Sequence, residues 1–149
     1  MKTKILIWIG TLLIFISPNL NYTKNPLYGD VTLTQVAEAD AAILVVVSFI
    51  ALGISFTKHR LSLFALGIVP IIVSSHHSSF VNQQRGNTQQ GIEIMNYLAD
   101  IKFQNTESLN VGIGLSCMAI GGLLLIIAAG IDLFDKLSRN KLPPPLPKN

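Results

Sequence analysis

The tripeptide Lys58-His59-Arg60 separates two long uncharged stretches, and this break constrains the fold more than any other feature of the chain. Residues 41–57 read AAILVVVSFIALGISFT, and residues 61–75 read LSLFALGIVPIIVSS. Apolar runs of this length can cross the hydrocarbon core of a bilayer as helices, which satisfy their own backbone groups. Joined by a short basic break, they read as a transmembrane helical hairpin. Two more apolar runs flank the pair, at 5–16 (ILIWIGTLLIFI) and at 108–131.

Composition agrees with this reading. Only 13% of the 149 residues are charged and 50% are hydrophobic, whereas soluble domains carry about 25% charged residues. Mean hydropathy is +0.51. The expectation is an all-α integral membrane protein: a four-helix transmembrane bundle forming one domain over residues 1–135, with a basic, proline-rich tail at 136–149. The spans are expected at about 5–20, 37–57, 61–79 and 109–131, with outer loops at about 18–36 and 80–108.

Charge sets the orientation. With Lys58-His59-Arg60 inside, eight basic residues fall on the cytoplasmic side (Lys2, Lys4, Lys58, Arg60, Lys136, Arg139, Lys141 and Lys148), with Asp132 and Asp135 as the only acids. The outer side holds Lys24, Arg85 and Lys102 against six acids: Asp30, Glu38, Asp40, Glu93, Asp100 and Glu107. Basic flanks stay in the cytoplasm, so both termini are expected there, in a plasma or inner membrane. The net charge of +3 reflects this segregation rather than a nucleic-acid surface.

Residues 5–16 fit two patterns. A basic start and a short apolar core suit a signal peptide. A retained first span suits them as well, and the absence of a small-x-small cleavage site from SPNLNYT favours it. The outer loop that follows is rich in turn residues, including Pro18, Asn19, Pro26 and Gly29. Within it, residues 31–34 alternate in polarity and suit a short extended stretch. Asn21-Tyr22-Thr23 forms a glycosylation sequon close to the membrane.

Glu38 and Asp40 fall in the first turn of the second span, where acids complement the helix macrodipole. His76 and His77 end the third span as interfacial polar residues. They are weak candidates for a metal site or a pH sensor, because neighbours on a helix point about 100° apart. Pro70, within that span, is expected to kink it. In the second outer loop, residues 82–90 read as turn-like. Residues 91–103 place Ile92, Met95, Leu98 and Ala99 on one face, the pattern of a short amphipathic helix lying on the membrane or capping the bundle.

The last span carries small residues in two stripes. At about 100° per residue, Gly114, Cys117, Gly121 and Ala128 share one stripe, and Gly112, Ser116, Ala119 and Gly130 a second, nearly opposite. Ile113, Ile120, Ile127 and Ile131 form a bulky ridge between them. Small residues allow close helix approach where lipid offers no hydrophobic gradient. A helix held between two neighbours, with the ridge toward lipid, is therefore expected. Cys117 is the only cysteine, so no disulfide staples the chain.

The sequence carries no GxGxxG, P-loop, HExxH or CxxC motif. No catalytic residues, cofactor or metal are therefore expected, and no nucleic-acid partner. In the tail, Lys141, Pro144 and Pro147 match the basic-first PxxP arrangement bound by proline-recognition domains, relevant if the source is eukaryotic. The layout resembles small multidrug transporters only in its number of spans, since residues 5–16 lack the glutamate those proteins place in the first span. The paired cysteines of claudin-like proteins are absent. The expected role is a non-catalytic accessory, scaffold or interaction subunit, in contact with lipid and with a membrane-protein partner or a second copy. A small oligomeric channel or transporter and an extracytoplasmic sensor are the alternatives.

Overall fold

The computed structural model describes residues 2–25, 29–57, 60–99 and 110–140. Lys58, His59, residues 100–109 and the tail with Lys141, Pro144 and Pro147 lie outside them. The chain is mainly helical. Helix α1 covers Lys2–Ile16 and runs into a 3-10 turn at Ser17–Asn19. Strands β1 (Asn21–Asn25) and β2 (Gly29–Thr32) follow, then the short helix α2 (Leu33–Val36) and the long helix α3 (Glu38–Ser55). A 3-10 turn at Arg60–Ser62 leads into α4 (Leu63–Ala99), and β3 (Asn110–Val111) leads into α5 (Ile113–Asn140).

Three helical segments are long and apolar enough to cross a membrane: Glu38–Ser55, Arg60–Asn87 and Ile113–Ser138. Each leaves large apolar side chains uncovered, such as Phe49 on α3, Ile72 on α4 and Ile120 on α5. Exposed apolar surface on this scale suits lipid, not water. Helix α1 is apolar but shorter, about 22 Å at 1.5 Å per residue, and it ends at Ile16 rather than near residue 20.

The helices pack through glycine. A Cβ on Gly10 of α1 would lie 2.9 Å from the Gly121 carbonyl oxygen, and one on Gly121 would lie 2.8 Å from the Gly10 oxygen. One residue further round α5, Gly67 of α4 and Gly122 stand in the same relation, with approaches of 2.6 and 2.5 Å. Backbones this close gain dispersion contacts that larger residues would forbid. A hydrogen bond from Ser74 Oγ to the Leu115 carbonyl, 2.9 Å long, ties α4 to α5 further up. Helix α1 also meets α3, where Phe15 stacks edge-on with Phe49 at 5.9 Å.

Three expectations are corrected here. The chain is not purely α-helical, because β2, β1 and β3 form a small antiparallel sheet in that order. Strands β1 and β2 are neighbours in sequence, and the expected extended stretch at 31–34 overlaps β2, but β3 comes from about ninety residues further on, so no local pattern announces the full sheet. Residues 80–99 are not a loop followed by a separate amphipathic helix. The span simply continues, and α4 is one helix of 37 residues that runs through Pro70. Gln, Arg and Glu have good helix propensity and prolong a helix already nucleated by its apolar half. Residues 100–103 of the expected amphipathic helix lie outside the described residues.

The third correction concerns α5. Its buried residues, Gly114, Leu115, Met118, Gly121, Gly122, Leu125, Ala128 and Ala129, fill one continuous arc of about 140°. Helices α1 and α4 meet this arc side by side, not from opposite faces. Of the second stripe only Gly112 is buried; Ser116 is exposed, and Ala119 and Gly130 are half-buried, so this stripe is not a seam between the chain's own helices. Cys117 lies half-buried at the edge of the arc. All four residues of the isoleucine ridge are exposed.

Candidate functional site

The sheet end of the bundle holds the most developed polar cluster among the described residues. It begins with a defect in β1. Asn21 pairs with Thr32 and Thr23 with Val31, so Tyr22 is the extra residue of a β-bulge. Bulges re-aim side chains, and here the Tyr22 ring turns into the bundle, where it is only 3% exposed. The strand is pinned from its other side by β3. Thr23 pairs with Val111, and the Gly112 amide donates to the Tyr22 carbonyl at 2.8 Å. At Gly112 a Cβ would collide with the Asn21 carbonyl. The glycine is therefore required for closing the sheet, not for helix packing. Next to it, Gly114 lies against the carbonyls of Ser17 and Leu20.

Tyr22 meets His77 of α4. Its hydroxyl lies 3.0 Å from Nδ1, with the rings edge to face at 5.3 Å. On the far side of the imidazole, Nε2 lies 2.7 Å from Asp40 Oδ2 on α3. One bonding pattern satisfies all three groups: the phenol donates to Nδ1, and Nε2–H donates to the carboxylate. His77 is buried, and Asp40 is half-buried at the start of its helix. Burial, together with the negative charge of Asp40, pushes the Tyr22 phenol above its ordinary pKa of 10.0, so it stays protonated as the donor. The three residues thus join a strand and two helices through one imidazole.

His76 and His77 do not act as a pair. Their ring centroids are 5.5 Å apart and the planes nearly perpendicular. His76 faces outward, while both ring nitrogens of His77 are engaged. Among the described residues, no three His, Cys, Asp or Glu side chains converge as a metal site would require.

The sequence reading passed over Tyr22 and gave Asp40 only a helix-dipole role. Neither residue carries a local signal, because they lie 55 and 37 positions from His77. The detectable clue was a histidine and an acid at the same end of adjacent spans.

At the opposite end, Arg60 and Lys136 flank Asp132 at 3.5 and 2.9 Å. Between α1 and α3 lies an open apolar groove of about 440 Å³, walled by Trp8, Leu12, Phe15 and Phe49. The class of protein defined by these features is α-helical, with three helices fit to cross a membrane and a polar Tyr–His–Asp cluster beneath a small sheet. No protein-family model, no curated protein and no solved structure matches the chain.

Proposed function

We propose that this chain is a small non-catalytic multi-pass membrane protein that serves as an accessory or interaction subunit. In this reading it crosses the bilayer four times, α1 being the shortest span, with both termini in the cytoplasm and the sheet outside. The segregation of basic residues supports the orientation.

The observation that carries the interaction role is the stretch of α4 at residues 82–87. After the buried Val81, the six positions 82–87 are all exposed. A helix that is polar all round has no apolar stripe to bury against its own chain. Held upright by the His77 cluster and the α5 seam, it is presented to something else. The channel alternative has less support, because the hydroxyls within the helices are largely spent on carbonyls. Ser48 donates to Leu44 O at 2.8 Å, Ser55 to Leu52 O at 2.6 Å and Ser74 to Leu115 O at 2.9 Å.

Site-specific photo-cross-linking in native membranes tests the role. A probe at Gln83 should give a discrete protein adduct, whereas one at Ile120 on the lipid ridge should give lipid. The absence of any protein adduct from Gln83 would remove the support for an interaction subunit.

A further inference from the structure

His77 joins three elements, and the pattern of hydrogen bonds around it allows only one of its two protonation states without rearrangement. With a neutral imidazole, every hydrogen in the cluster has an acceptor. Tyr22 donates to Nδ1, and Nε2–H donates to Asp40. Adding a proton at Nδ1 turns that nitrogen into a donor. The phenol must then rotate and accept, and its own hydrogen loses its acceptor at a position only 3% exposed. A buried donor without a partner is costly. On the other side of the ring the same proton strengthens the bond, because imidazolium and carboxylate now form a charged pair at 2.7 Å.

We propose that His77 is a proton-operated latch: protonation releases the β1 hairpin from α4 while it tightens α4 against α3. The surrounding charges do not blur this assignment. From the sheet come Tyr22 and, in register with each other, Lys24 and Asp30. Helix α3 contributes Asp40 and the exposed Glu38, and α4 contributes the outward His76. Helix α5 carries no charged residue before Asp132, and α1 none after Lys4. The phenol cannot relieve the conflict by ionising, since burial and Asp40 both oppose its loss of a proton. The latch stands on this geometry alone and does not require the interaction role proposed above. It would supply the chemical input for the sensing alternative.

The test uses the full chain in detergent or nanodiscs. Ring-nitrogen NMR follows protonation of His77, and hydrogen exchange, corrected for the intrinsic pH dependence of the chemistry, follows the amides of Tyr22 and Thr23. As His77 gains its proton, exchange of the β1 amides should rise about tenfold, the scale of one buried hydrogen bond. The rise should persist in His76→Gln. It should vanish in Tyr22→Phe, where β1 should exchange fast at every pH. His77→Gln, which takes up no proton at this site, should show no such rise, and should it fail to fold, Tyr22→Phe still decides the matter. Unchanged β1 protection while His77 protonates would overturn the latch. So would a rise of equal size in Tyr22→Phe, or a His77 that never takes up a proton.

Discussion

Gly10 and Gly121 approach so closely that neither has room for a methyl group without moving backbone. Gly121→Leu should therefore overpack the α1–α5 seam and cost about 1–3 kcal/mol. Ala119→Leu, at a half-buried position, should cost less, and Ile120→Leu on the exposed ridge should be close to neutral. Thermal melts of the three variants in detergent check the ordering, and equal effects would deny that α5 has distinct faces. Tyr22 gives a pH-dependent prediction. Its folded-state pKa lies above 10.0, so the folded chain keeps a proton that the unfolded chain releases. That stability is complete below the unfolded value and is lost as pH rises through the folded one. Tyr22→Phe should lose about 1 kcal/mol near neutral pH, but it should lack this share of the alkaline fall in a pH series of melting temperatures. A wild-type alkaline limb retained unchanged by the Phe variant would mean that Tyr22 does not ionise on unfolding.

Helix α4 is the element whose behaviour the residues describe least directly. Its first half is apolar and residues 82–90 are polar, yet it is one helix from Leu63 to Ala99. Gly86 lies within the polar stretch, and a Cβ there would meet nothing within 4 Å. Alanine at this position spares the backbone entropy that glycine gives up in a helix. Gly86→Ala should therefore raise helix stability by about 0.5–1 kcal/mol, while Gly86→Pro should cut the helix at this point. Circular dichroism and limited proteolysis near residue 86 read both effects. If Pro were tolerated without loss of helicity or new cleavage, the polar stretch would not be a continuous helix. Polar spacing alone had pointed to turns here, because Asn, Gln and Gly suit loops as well as an exposed helix. Continuity with the apolar half tips the balance.

For the molecule as a whole, the two ends differ in chemistry. One is closed by the sheet and the His77 cluster, the other by Arg60 and Lys136 around Asp132. Under the proposed orientation, reporter fusions after Asn87 should be scored outside, and fusions after Arg60 or at Asn149 inside. An inside signal at Asn87 would invert the map and place the Tyr22–His77–Asp40 cluster in the cytoplasm.

What the sequence determined by itself was its partition between lipid and water. Uncharged runs of helix-spanning length, and basic residues gathered between and beyond them, are local properties that hydropathy and charge expose directly. The exposed ridge of Ile113, Ile120, Ile127 and Ile131 was legible for the same reason, since helical periodicity is a short-range rule. The tertiary structure decided which small residues become seams. Gly121 belongs to a stripe visible in the sequence, but its partner Gly10, and the pair Gly67 and Gly122, depend on which helices stand beside α5. The sheet and the Tyr22–His77–Asp40 cluster were decided there too. A bulge aims Tyr22, a distant strand pins it, and two other helices supply the imidazole and carboxylate. Hydrogen bonds between such separated segments leave no period in the sequence, because their geometry exists only once the chain has closed.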